Sequence, residues 1–108
     1  MPKGYVILTE VVKDQAGMDA YGRAAGSSLV EGAGSVLAVD DQPQLLEGEW
    51  HGNRTVVLEF PSVAAARDWY ESASYAAAKP LRHGAAETNA VIVSGFEIPP
   101  RRPNDTAH

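Results

Sequence analysis

No cysteine occurs among the 108 residues, so thiol nucleophiles, thiolate metal sites and disulfide frameworks are all excluded. Histidine is scarce too. His51, His83 and His108 are the only three, they lack ligand-like spacing, and no His-Glu-x-x-His segment accompanies them, so no metal is expected. None of the ten glycines belongs to a Gly-x-Gly-x-x-Gly segment or a phosphate loop, and no serine sits in a nucleophile elbow. A nucleotide site and a serine triad are therefore not expected, and no cofactor of any kind is implied. Basic residues are outnumbered, nine Lys and Arg against fourteen Asp and Glu, for a net charge of −5. The only basic doublet, Arg101-Arg102, lies in a proline-rich terminus, too little for the basic stripe that nucleic-acid binding requires.

Long hydrophobic runs are missing as well. Nothing approaches the roughly 20 apolar residues needed to span a bilayer, so no membrane contact is expected. The N-terminal residues enter an alternating segment interrupted by Glu10, unlike the uninterrupted apolar core of a signal peptide. A cytoplasmic protein is the simplest expectation.

What is present is ordinary for a folded domain: 44% apolar and 21% charged residues, enough to form a core without disulfides or metal. The length fits one domain, since domains most often run to roughly 100–150 residues. Residues 1–98 are read as that domain. The proline-rich stretch 99–108 cannot bury apolar surface and is expected to be a flexible tail.

Periodicity gives the element order. Tyr5 to Val12 alternates, with Tyr5, Ile7, Thr9 and Val11 on one side and Val6, Leu8, Glu10 and Val12 on the other, and reads as a strand with two nearly apolar faces. Asp14 suits a helix N-cap, after which Met18, Tyr21, Ala25 and Leu29 form an apolar stripe. Gly22 and Gly26 weaken that helix by about 1 kcal/mol each relative to Ala, and either are simply tolerated or allow close approach of a neighbour or ligand. Gly32 and Gly34 end the helix, and Ser35 to Val39 reads as a second strand. Gln44 to Glu47 is expected to resume extended structure before a turn at residues 48–53. In the third strand Val56, Leu58 and Phe60 face the helices, which sends Thr55, Val57 and Glu59 to the other side. Pro61 and Ser62 open a helix with Val63, Ala66, Tyr70 and Ala73 as its core stripe and Trp69 beside them. Ser74 is read as the cap of a further short helix that Pro80 breaks or restarts, with Gly84 as its stop. Thr88 to Phe96 is the last strand.

Strand, helix, two strands, helix, strand predicts an α+β domain of the ferredoxin-like β-α-β-β-α-β type: a four-stranded antiparallel sheet with its helices on one face. The other face stays bare. It carries Tyr5 or Val6, Val57, and Val91 or Ile92, more apolar surface than soluble monomers usually expose. A homodimer joined through the sheet faces is therefore expected, with two-fold symmetry.

Leu46-Glu47-Gly48-Glu49-Trp50, Val57-Leu58-Glu59-Phe60-Pro61-Ser62, Trp69-Tyr70-Glu71-Ser72 with Tyr75, and Leu81-Arg82 followed by Glu87 together resemble the signature of domain-of-unknown-function family thirteen-thirty. The resemblance covers roughly Gly4 to Gly95. It implies the dimeric α+β barrel superfamily and hence the same fold and dimer, but no reaction. Where the family pattern has a glutamine-like residue after Arg82, this chain has His83.

Three residues are candidates for acid–base or anion chemistry. Glu59 suits a general base if its surroundings raise its pKa, although an ion pair with Arg54, with Arg82 or with the second subunit is the simpler role. Arg82 and His83 at a helix end suit an anionic substrate, or merely stabilise the helix terminus. Tyr21, Trp50, Trp69 and Tyr70 are candidates for a flat pocket holding a ring-shaped ligand, against the commoner role of core and interface anchors. Trp50 is the one placed to reach a partner subunit.

The functional expectation is a small dimeric protein binding a small metabolite, aromatic or carboxylated, between sheet and helices. One alternative is an enzyme resembling cofactor-independent monooxygenases or lactone isomerases, an inference from fold alone. Another is a structural or regulatory interaction protein.

Overall fold

The structure is a computed structural model that describes residues 2–97. The expected tail at 99–108 lies outside the described residues. The elements run β1 (Gly4–Val12), α1 (Gln15–Glu31), β2 (Ser35–Asp40), β3 (Arg54–Phe60), α2 (Val63–Tyr70), α3 (Ala73–Ala85) and β4 (Ala86–Ser94). The four strands form one antiparallel sheet in the order β2-β3-β1-β4, the expected ferredoxin-like arrangement with one helix more than the six-element pattern. Among the described residues, no helix is long and apolar enough to cross a membrane.

Register decides which side chains meet the helices. Val6 stands opposite Leu58 on one side and Ile92 on the other, and Leu8 opposite Val56 and Ala90. Val6, Leu8, Leu58 and Phe60 are buried under the helices together with Trp69 and Tyr75. The odd-numbered side of β1 faces away, so Tyr5, Ile7 and Thr9 share an open face with Thr55, Val57 and Glu59. A bulge at Leu37 interrupts the β2–β3 register, after which Val39 opposes Val56. The extra residue keeps β2's apolar side toward α1 beyond the bulge.

Local signals explain the boundaries. Asp14 caps α1 by accepting the Gly17 amide at 3.1 Å, and Ser62 caps α2 by accepting the Ala65 amide at 3.0 Å. At the end of α1 the left-handed residue is Ala33, φ 59°, not one of the flanking glycines. Gly34 serves a different need: a Cβ there would stand 2.6 Å from the Phe60 ring.

Three expectations are corrected. Gln44 to Glu47 forms no strand, and residues 41–53 cross as an irregular loop. Gly52, φ 79°, sets its return, because a Cβ would lie 2.2 Å from the Glu10 carbonyl oxygen, to which the Asn53 amide donates at 2.9 Å. The buried side of α2 is Ala66 and Trp69, while Val63 is exposed; turning Trp69 inward lets it pack on Phe60 and Tyr75. Ser72, not Ser74, caps α3, which continues through Pro80 to Ala85. Tyr75, Ala78, Arg82 and Ala85 recur at helical spacing on its buried side, and that packing outweighs the amide hydrogen bond lost at the proline. The Ser74 hydroxyl donates instead to the Glu31 carboxylate.

Candidate functional site

A cavity of about 220 Å³ lies between the sheet and α1. Leu8, Met18, Leu29, Val56, Leu58 and Trp69 supply apolar wall. Gly22 and Gly26 border it on the α1 side, and a Cβ built on either would meet nothing within 4 Å. Both are exposed, and a side chain at either position would extend into open space. Tyr21, Glu10 and Arg54 bring polar groups to the lining.

Glu10 is the unusual member. It follows Val6 and Leu8 on the helix-facing side of β1 and is 1% exposed. Its Oε1 lies 3.8 Å from Arg54 Nε, and its Oε2 lies 3.5 Å from the Thr88 hydroxyl. Both are at or beyond the limit of a hydrogen bond. Burial pushes the Glu10 carboxyl above the ordinary carboxylate range, Asp41 adds to the rise, and Arg54, Arg82 and the Thr88 hydroxyl oppose it. Arg54 in turn reaches Asp41 of the loop at 3.5 Å. Its Nε, like that of Arg82, is buried without a hydrogen-bond partner among the described residues.

Behind the cavity lies a phenol pair. The hydroxyls of Tyr21 and Tyr75 share a hydrogen bond of 2.7 Å, and their rings meet edge to face. Burial and the neighbouring phenol push Tyr21 far above the usual tyrosine range, keeping it neutral. Arg82, 2% exposed, comes up against this pair from α3. Burial works against its charge, but the oxygens of Tyr75 and Tyr21 outweigh that and hold the guanidinium charged.

The expected site residues are divided between the two sides of the sheet. Tyr21 and Trp69 line the cavity, and Arg82 acts on Glu10 and Tyr21 from behind it. Glu59 lies on the open face, where Lys3 Nζ at 3.2 Å and the Tyr5 hydroxyl at 3.0 Å hold it; these hydrogen bonds lower its pKa. Its partners are therefore neither Arg54 nor Arg82. Trp50 donates to the Thr55 hydroxyl at 2.9 Å and lines a second, open cavity of about 730 Å³ between the loop and β2–β3. Tyr70 packs on Tyr75 and carries Lys79 Nζ 4.0 Å above its ring. His83 is exposed, with Nε2 3.5 Å from an Arg82 nitrogen. Glu10 and Arg54 were not among the expected site residues. Their signal was the carboxylate breaking an apolar strand face and the arginine opposite it, since Glu10 pairs with Arg54 across β1 and β3. No group of three or more metal-ligating side chains comes together among the described residues.

A family described as Domain of unknown function (DUF1330) matches residues 3–96. No curated protein matches the chain. Among solved structures, the RPA0582 protein of unknown function from Rhodopseudomonas palustris is similar at TM-score 0.73 and 19% identity, covering 90% of this chain and 85% of that one. SnoaB, a cofactor-independent oxygenase from Streptomyces nogalater, is similar at TM-score 0.62 and 10% identity, covering 94% of this chain and 100% of that one. A dimeric protein of unknown function and ferredoxin-like fold from Bacteroides fragilis is similar at TM-score 0.58 and 13% identity, over 85% and 95%. These likenesses establish the fold.

Proposed function

The chain belongs to the DUF1330 family, and for it we propose a binding function: a small metabolite, aromatic or carboxylated, held in the cavity between the sheet and α1. The observation that carries this reading is a largely apolar cavity whose lining includes a buried carboxylate, Glu10, and a guanidinium, Arg54. At about 220 Å³ it falls below the roughly 300–1,000 Å³ typical of drug-sized ligand sites, so its occupant is no larger than a small ring system. Gly26 supplies the test. Gly26→Leu adds a side chain where the structure has open space, so thermal stabilisation by small aromatic compounds is expected in the natural protein and lost in the variant. Equal stabilisation of both proteins would place the ligands elsewhere.

In this reading the protein is a cytoplasmic homodimer joined through the open sheet faces. Val91 is 53% exposed there and Leu46 of the adjoining loop 93%, and the Bacteroides fragilis relative is a dimer. Glu59, held by Lys3 and Tyr5, and Trp50 are assigned to the subunit contact, and His83 to the surface. Light scattering on a sizing column is expected to give twice the chain mass for the natural protein and the single-chain mass for Val57→Asp. A single-chain mass for the natural protein would defeat the dimer.

A catalytic reading has one observation in its favour, the buried Glu10 whose proton affinity is raised, a property that active-site acids and bases share. The Streptomyces nogalater oxygenase has the same fold, which by itself assigns no reaction.

A further inference from the structure

We propose that Glu10 accepts a proton from an ionisable hydroxyl of the cavity ligand, so that the site selects small phenols or enols and holds them as anions between Glu10 and Arg54. This inference rests on the cavity being a binding site and names the class of ligand it takes.

The geometry singles out Glu10. Its carboxylate is buried, and its contacts to the Thr88 hydroxyl at 3.5 Å and to Arg54 Nε at 3.8 Å are long. An ionised carboxylate has about four acceptor positions, and a buried polar group without good partners is costly. A ligand O–H directed at Glu10 relieves that cost. A ligand carboxylate would instead set a second negative charge beside the first, so a neutral ring bearing a hydroxyl fits the lining better than a carboxylated one.

The proton transfer conserves charge. The ligand O–H bond breaks, an O–H bond forms on a Glu10 carboxylate oxygen, and the negative charge passes to the ligand oxygen. That oxygen then lies beside the Arg54 guanidinium, whose Nε stands 3.5 Å from Asp41 and 3.8 Å from Glu10. No oxidant or co-reactant takes part. The groups facing Glu10 are Arg54 from β3, Asp41 from the loop, Arg82 from α3, Thr88 from β4, and Tyr21 from α1. The two arginines serve either location of the charge, while Thr88 and Tyr21 are neutral. Burial already raises Glu10's affinity for a proton, which narrows the gap to a phenol and eases the transfer.

Two probes separate this inference from the binding reading beneath it. Naphthalene fits the apolar wall but has no proton to give, and 4-nitrophenol reports its ionisation by absorbance. About one pH unit below the free phenol's pKa, where about a tenth is ionised, the bound probe is expected to be ionised to severalfold the free fraction. A protonated-carboxyl band should appear in the infrared difference spectrum. Glu10→Gln is expected to show no such band and to leave bound nitrophenol no more ionised than free. Naphthalene binding with nitrophenol bound neutral, or ionised equally in Glu10→Gln, would overturn the role of Glu10 while leaving the cavity as a binding site. Binding of neither probe would overturn both.

Discussion

Arg82→Met is expected to lower the unfolding free energy by about 1–3 kcal/mol at neutral pH, the range for removing a buried charged hydrogen-bonding group, and to lose much of that penalty on acidification. Methionine fills the space of the arginine stem, so the change is mainly one of charge. Arg82 is one of the groups that favour the ionised form of Glu10. Without it the buried carboxylate keeps only Arg54 and a long contact to Thr88. The sign follows from proton linkage. In the unfolded chain Glu10 titrates in the ordinary carboxylate range, whereas in the folded chain its pKa is raised. Between those values the folded state holds a proton the unfolded state has released, so stability is greatest below the window and declines as pH rises through it. In Arg82→Met the folded value moves higher still, and the decline widens. Glu10→Gln, which mimics the protonated carboxyl, is expected to remove this decline, and Glu10→Gln with Arg82→Met is expected to be less damaged than Arg82→Met alone. Urea unfolding at fixed protein concentration across a pH series reads all four proteins. A pH-independent loss in Arg82→Met would show that Arg82 matters for packing and not for Glu10.

Trp69→Ala is expected to cost about 3–5 kcal/mol, the range for deleting a large aromatic from a core. Trp69 stands 4.1 Å from the Tyr75 ring and 5.2 Å from the Phe60 ring, centroid to centroid. It therefore ties α2 to both α3 and the sheet. Its indole N–H also donates to the buried Ser28 hydroxyl at 3.0 Å, which itself donates to the Ala25 carbonyl. Trp69→Phe keeps most of the ring contact and gives up that hydrogen bond, so a smaller loss of about 1–2 kcal/mol is expected. Denaturation midpoints at an unchanged slope would measure both. A loss below about 1 kcal/mol for the alanine variant would mean that the site collapses around the missing ring.

Much of the fold could be read from periodicity because the strands and caps agree with one another. Val56, Leu58 and Phe60 identify the helix-facing side of β3, and Asp14 and Ser62 mark two helix starts by side-chain chemistry alone. The cap of α3 was harder to read because Ser72 and Ser74 both suit it; the hydroxyl that accepts the Tyr75 amide is Ser72. Pro80 reads as a break only when the packing of Tyr75 and Arg82 on its own helix is unknown.

The site was less legible for a related reason. Glu10 and Glu59 look alike in sequence, each a carboxylate in a strand of β-branched and apolar residues. Alternation assigns each to a face, but β1 is apolar on both sides, so its own residues do not say which side the helices cover. Pairing with β3 decides it, by placing Val6 opposite Leu58 and Tyr5 opposite Glu59. Glu10 then goes inward and Glu59 to the open face. Arg82 can be singled out as a cation near a helix end, yet its burial depends on α3 packing so that Tyr75 and Tyr21 come beside it.

A crystal structure of the protein with 4-nitrophenol would show where the ligand binds and what its hydroxyl meets. The ring is expected between α1 and β3, against Trp69 and beside Gly26, with its hydroxyl oxygen within hydrogen-bond distance of Glu10. A ring bound on the open face beside Trp50, or a cavity left unoccupied by the probe at saturating concentration, would contradict this expectation.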